Sequence, residues 1–168
     1  MLIETERLTM AQITNDDWPL FLRLNTDPSI ISLCFDIPSE SEIRAKFQSR
    51  LPLWNSLSNE WLCLVIREKN SAMAVGITGF FIDNSVAEVG YLLLPEFHGR
   101  QYGTESLSAL IDRALALDDI VSFRAVVTEG NIASERVLQK CGFTLSQVIP
   151  QAYSIAGKRY DDRIYLKG

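Results

Sequence analysis

"GYLLLPEFHGRQYGTESL", residues 90–107, runs an apolar segment into a glycine-bearing turn and leaves it on a different rhythm. The apolar residues ahead of Pro95 close a strand-like run from Val86 to Leu94. From Thr104 the apolar positions Leu107, Leu110, Ile111, Ala114 and Leu115 share one face of a helix, closed by Asp118 and Asp119. A helix start leaves its first N–H groups without internal partners and carries roughly half a positive charge. The backbone from Gly99 through Arg100, Gln101, Tyr102 and Gly103 to Thr104 is therefore a natural anion cradle, with phosphate the obvious guest. Arg100 can add a charge-assisted contact. The plainer reading is a tight turn that needs glycine for geometry alone. The stretch is neither a GxxxxGK[ST] loop nor a GxGxxG fingerprint.

Upstream, an alternating segment spans residues 2–11, and Thr14 and Asp17 stand at capping-box spacing before a helix carrying Trp18, Phe21 and Leu22. Asn25 to Pro28 ends it. Ser39 and Glu42 form an S-x-x-E box that opens a second helix with Ile43, Phe47 and Leu51 on one face. Strands follow at 61–67, 74–81 and 86–94, joined by short polar turns that favour an antiparallel meander. Downstream, 123–127 reads as a strand, 131–141 as a helix with Gly142 as its C′ residue, and 143–149 and 159–166 as two last strands. The order β-α-α-β-β-β-α-β-α-β-β predicts an α/β fold, a mixed sheet with helices on both faces. No repeat or linker interrupts it, so residues 1–168 are expected to form a single domain.

Composition narrows the function. The chain has 168 residues, 47% hydrophobic and 22% charged, with a formal net charge of -5. Nucleic-acid binders carry a basic surplus, so nucleic acid is not an expected partner. Cys34, Cys63 and Cys141 are far apart and His98 is the only histidine, which argues against both a disulfide framework and a metal site. The opening residues lack a basic region followed by an apolar one, and no stretch approaches the roughly 18 apolar residues of a membrane span. The expectation is a cytoplasmic, metal-free protein with no membrane association.

A second motif, "NIASERVLQKCGF" at 131–143, follows a strand. Together with residues 90–107 and the opening "ETERLTM" it resembles the GNAT superfamily of acyl-CoA N-acyltransferases, and within it the branch that includes N-terminal acetyltransferases of ribosomal proteins. The resemblance covers essentially the whole chain. It implies the GNAT fold with a splayed central strand pair, acetyl-CoA as co-substrate, and direct attack of a primary amine on the thioester without an acyl-enzyme. The amine belongs to a protein N-terminus or to a small molecule such as a polyamine. One position departs from the pattern. The family's pyrophosphate loop commonly reads R/Q-x-x-G-x-G/A, which places His98 at its start and Gly103 at its end, but Gln101 where the first glycine belongs. A second reading follows from that departure, a catalytically degenerate acyl-CoA-binding module.

The resemblance also implies roles. Backbone freed by the splay near Leu92, Leu93 and Leu94 would bind the pantetheine arm, and Gly99 to Thr104 the pyrophosphate. Glu88 is the candidate base, acting directly or through water; a carboxylate in an otherwise apolar strand calls for an explanation, and facing solvent or pairing with an arginine would also supply one. Asn131 would hold pantetheine and Ser134 would protonate the leaving thiolate, although both also suit simple helix capping. Arg136, one turn from Lys140, would face the nucleotide 3′-phosphate or be a solvated face. Tyr91, Tyr102 and Trp61 are expected to pack. The acceptor pocket would lie between residues 25–38 and the hairpin near 150–159. An acidic chain favours encounter with a cationic amine. The assembly is left as monomer or homodimer.

Overall fold

The first alternating segment divides in two. In the computed structural model, which describes residues 1–168, β1 (Leu2–Glu4) and β2 (Leu8–Gln12) form a hairpin whose turn is held where Thr5 Oγ1 accepts the Leu8 N–H at 3.0 Å. The chain continues through α1 (Trp18–Thr26), α2 (Pro28–Ile31) and α3 (Glu40–Ser49), then β3 (Leu62–Glu68), β4 (Ala74–Asp83) and β5 (Val86–Leu93). It ends with α4 (Tyr102–Leu115), β6 (Ser122–Thr128), α5 (Ile132–Lys140), β7 (Thr144–Ile155) and β8 (Lys158–Lys167). The short α2 falls where the sequence reads only an end to α1. Asp27 accounts for it by accepting the Ser29 N–H at 2.9 Å, with Pro28 preset for a first helical turn. Both expected capping boxes form, at Thr14/Asp17 and at Ser39/Glu42.

The strands make one 8-stranded sheet in the order β1-β2-β3-β4-β5-β6-β8-β7. Every pairing is antiparallel except β5 with β6, so the sheet is mixed. Successive side chains of a strand point to opposite faces. Arg67 of β3 reaches Asp17 at the start of α1 at 2.6 Å, and its neighbour Glu68 reaches Tyr102 at the start of α4 at 2.5 Å. The α1 and α4 helices therefore cover opposite faces. A cluster of 32 buried residues fills the layers between them, with Leu8, Met10, Phe21, Leu64, Phe80, Leu107 and Phe123 among its best-buried members.

The feature that positions the site is a fork. Only Val86, Ala87 and Glu88 of β5 pair with β6, opposite Ser122, Phe123 and Arg124. β5 stays paired with β4 as far as Leu93, and β6 stays paired with β8 as far as Thr128. Beyond Glu88 the two strands part, and backbone on the inner edges of the fork has no strand partner there. This is the splay expected from the resemblance.

Candidate active site

A cleft of about 860 Å³ runs through the fork, lined by both parted strands, by residues 97–99 and 101–104 ahead of and within α4, by α5, and on the far side by α3 and the 30–35 segment. The cradle residues stand at its rim. No backbone N–H from Gly99 to Thr104 donates to an acceptor in the protein, whereas Glu105, the next along, bonds the Gln101 carbonyl at 3.0 Å. This row of free donors ends in the first turn of a 14-residue helix. Gly99 has φ +79°, and a Cβ added there would meet nothing within 4 Å, so it faces open space. The arrangement fits a pyrophosphate, whose oxygens need several convergent donors and no intervening side chain.

Gln101 occupies a left-handed position, φ 65° and ψ 17°, the conformation for which the usual glycine is suited. Its side chain turns to Lys140 on α5, whose Nζ donates to Oε1 at 2.9 Å. The cost of a left-handed non-glycine residue is on the order of 1 kcal/mol, and the Lys140 contact offsets part of it. Gly103 answers a different need. A Cβ there would come within 3.2 Å of Val137 Cγ2 and 3.4 Å of Leu93 Cδ1, so its absence lets α4 pack closely on α5 and β5.

Two expected contributions take another form. The Arg100 side chain leaves the cleft for Glu68, at 3.3 Å, and stacks over Phe97; only its backbone N–H remains with the cradle. Glu68 attracts it as a shielded carboxylate, held below its ordinary value first by the Tyr102 hydroxyl and then by Ser71. The Leu94 N–H is already bonded to the Val75 carbonyl at 2.9 Å and its side chain is buried, so it is no free donor. Leu92 and Leu93 do line the cleft, with the Leu93 carbonyl 3.1 Å from His98 Nε2. Tyr102 contributes backbone alone, since its ring is buried against Phe97.

At the fork, Asn131 is the N-cap of α5, its Oδ1 accepting the Ser134 N–H at 3.3 Å. The cap engages the oxygen and leaves the Nδ2 donors free on the cleft wall, so capping and ligand binding are compatible in one residue. Ser134 Oγ lies 2.8 Å from the Tyr91 hydroxyl, which also reaches the Ser134 carbonyl at 3.1 Å. Burial raises the Tyr91 phenol well above its ordinary value, with the Ser134 bond opposing, so it stays protonated. Tyr91 was expected only to pack; its sequence position gives no sign that it meets α5. Arg136 is exposed on α5 and lines the cleft with Lys140.

Glu88 lies in the cleft at the last paired position of the fork, hydrogen-bonded through Oε1 to Arg124, its register partner on β6. The arginine partner that the apolar strand required is thus present, and Oε2 is left over. Asp162 of β8 lines the same cleft and is absent from every ion pair and side-chain hydrogen bond; burial raises its carboxyl, with Arg124 opposing. Sequence spacing could not single it out, since the pairing of Asp162 with Thr128 exists only in the folded sheet. Burial also raises all three cysteines, Cys63 to about 12, so they are small thiols rather than nucleophiles.

The model of the acetyltransferase (GNAT) domain family matches residues 7–144. The chain belongs to this family. It is an acyl-CoA-dependent acetyltransferase. It is 25% identical over 170 residues to the uncharacterized N-acetyltransferase YoaA of Bacillus subtilis (strain 168), covering 98% of this chain and 94% of that one. Solved structures share the fold. RimL, a ribosomal L7/L12 alpha-N-protein acetyltransferase in complex with coenzyme A, superposes with a TM-score of 0.86 at 23% identity, over 99% of this chain and 97% of that one. The spermidine N-acetyltransferase from Vibrio cholerae, in complex with CoA and spermine, gives 0.84 at 17% identity, over 97% and 96%.

Proposed function

We propose that this acetyltransferase transfers an acetyl group from acetyl-CoA to a primary amine by direct attack in a ternary complex. The observation that carries the reading is the row of unengaged N–H groups from Gly99 to Thr104 beside a forked strand pair. The N–H row would hold the pyrophosphate, the inner edge of β5 at Leu93 with Asn131 Nδ2 the pantetheine arm, and Arg136 the nucleotide phosphate; Leu92, whose backbone turns to β4 like that of Leu94, would add its side chain to the cleft wall. Acetyl-CoA supplies the activated carbonyl and a thiolate leaving group.

The chain's own residues have three tasks. An ammonium is not nucleophilic, so its proton must leave; Glu88 Oε2, directly or through a water, is the acceptor, with Asp162 as the second carboxylate of the cleft. Free backbone N–H at the fork faces the oxygen on which charge develops. Ser134 Oγ then gives its proton to the departing sulfur, held for this by the Tyr91 hydroxyl. RimL acts on a protein N-terminus and the Vibrio cholerae enzyme on spermidine, and both acceptors are primary amines.

Calorimetry with coenzyme A and a thiol-release assay over a panel of amines test the proposal together. Micromolar CoA affinity with amine-dependent thiol release is the expected result. Binding without thiol release over a broad panel would favour a non-catalytic acyl-CoA-binding module, the reading that Gln101 motivates. No affinity at millimolar CoA would remove the cradle reading.

A further inference from the structure

Arg50 closes α3 at the far end of the cleft, away from the cradle. Its guanidinium lies 5.6 Å from the Phe21 ring and 5.8 Å from the Trp61 ring, and its Nε is the one buried side-chain nitrogen or oxygen in the molecule without a hydrogen-bond partner. Lys46 stands one helical turn earlier on the same cleft wall, its Nζ 5.5 Å from the Phe35 ring. Neither cation belongs to any ion pair. Glu60 is near enough to influence Arg50, and Glu42 to influence Lys46, but neither bridges. Burial lowers both cations, and for Lys46 the proximity of Arg50 adds to it.

Arg50 is half-buried against these rings with no anion to pair it; its Nε is closed off, so the two Nη groups, which have no protein partner, are the edge that a carboxylate or phosphate in the cleft would take. Its neighbour connects it to the chemistry. The Trp61 ring lies over Gly90, where an added Cβ would sit 3.5 Å from Trp61 Cζ3, and Gly90 is two residues past Glu88 on β5. Arg50, Trp61 and Glu88 therefore line one wall of the cleft.

Resting on the acetyl-transfer reading of this cleft, we infer that the acceptor is an amine that also carries an anionic group, and that Arg50 holds this group while the amine reaches the fork. Lys46 strengthens the positive pole. This makes the cleft a poor host for a polyamine, and the net charge of -5 does not oppose it, because net charge governs encounter while the pocket's own charges govern fit.

Four probes test it: leucine, leucinamide, O-phosphoethanolamine and spermidine, each scored by thiol release from acetyl-CoA and by added thermal stabilisation with and without CoA. At least one anionic amine should exceed both leucinamide and spermidine by about tenfold or more in kcat/KM, with the leucine and phosphoethanolamine arms separating carboxylate from phosphate. In Arg50→Gln the ratio of that anionic amine to leucinamide should fall toward one, with Arg50→Lys intermediate. Stabilisation of the variants by acetyl-CoA reports that they fold. Equal or better use of leucinamide or spermidine, or an undiminished ratio in Arg50→Gln, overturns the proposal. Failure of the acetyl-transfer reading shows separately, as no stabilisation by CoA in the wild type or as CoA binding without thiol release over a broad amine panel; the anion proposal is then decided by whether leucine or phosphoethanolamine stabilises the wild type more than Arg50→Gln.

Discussion

The two arms of the cleft are built by different means. On the cofactor side the donors are backbone N–H groups from one short stretch, Gly99 to Thr104, together with the cap of α5 at Asn131. On the side proposed for the acceptor the polar groups are side chains from separate segments: Glu88 on β5, paired to Arg124 on β6, Asp162 on β8, and Arg50 at the end of α3. Backbone donors tolerate side-chain change, which is why glutamine can stand in the cradle at Gln101. Side-chain groups do not, and the acceptor arm should be where single substitutions cost most.

The largest effect is expected from Glu88→Gln. Positioned acid–base groups contribute about 10²-fold or more, so kcat should fall by that factor while acetyl-CoA binding measured by calorimetry is retained. Asp162→Asn sharpens the test. A larger loss in Asp162→Asn than in Glu88→Gln would move the proton acceptor from β5 to β8, and an unaltered pH–rate profile in Glu88→Gln would remove Glu88 from the role.

Next comes the pair that joins the two arms. Ser134→Ala should lower kcat by about 10- to 100-fold with a smaller change in the acetyl-CoA KM, because Oγ is used only when the thiolate departs. Tyr91→Phe removes one hydrogen bond to Oγ and should cost about fivefold, the worth of a single neutral hydrogen bond. If Ser134→Ala alters thermal stability alone, Ser134 is part of the α5 cap and nothing more.

On the cofactor arm, Gln101→Gly should be nearly silent. It relieves left-handed strain of about 1 kcal/mol but adds freedom to the unfolded chain, at about 0.4–1 kcal/mol, and gives up the Lys140 contact. Stability within about 1 kcal/mol of the wild type and CoA affinity within about threefold are expected from denaturant unfolding and calorimetry. A tenfold loss of affinity would mean that the glutamine side chain, with Lys140, is itself part of the grip.

The same division decides what could be read in the sequence. Asn131 and Ser134 sit three residues apart in one helical turn and the cradle is contiguous, so both stand out along the chain, while the roles expected of them rest on the family resemblance; a mixed sheet follows from the element order, the fork from that resemblance, and the strand order from the fold alone. Arg124 faces Glu88 only because β5 and β6 pair in parallel across α4, and no spacing along the chain encodes that register. Tyr91 meets Ser134, and Arg50 meets Trp61, by packing between distant elements. The place of Arg100 in the turn points to a phosphate contact, while in the fold its guanidinium pairs with Glu68 at 3.3 Å, a partner 32 residues away in the chain. The β7 and β8 strands extend beyond residues 143–149 and 159–166, since β7 is exposed almost throughout and shows no in–out alternation to mark its end.

The smallest effect tests how the cradle's approach is anchored. Arg23 of α1 makes a two-pronged contact with Glu96, at 2.9 and 2.8 Å, and so ties α1 to the turn that leads to Gly99. That contact holds the Glu96 carboxyl at about 2, against an ordinary value of 4.5, Arg23 being the main cause. A carboxyl lowered on folding contributes stability that is fully present above about pH 4.5 and is lost as the pH falls toward 2. Both side chains are close to half exposed, so solvent screens the pair and the contribution is small. Glu96→Gln should therefore lower the melting temperature by no more than about 2 °C at pH 7, and less in high salt. The gap between variant and wild type should narrow below pH 4.5 and close as the pH falls through about 2, where Glu96 protonates in the fold. A gap that persists there would mean that Glu96 holds the turn by its shape and hydrogen bonds rather than by its charge. A CoA affinity that falls together with the melting temperature would show that the Arg23 tie presets the cradle that the backbone alone is here held to supply.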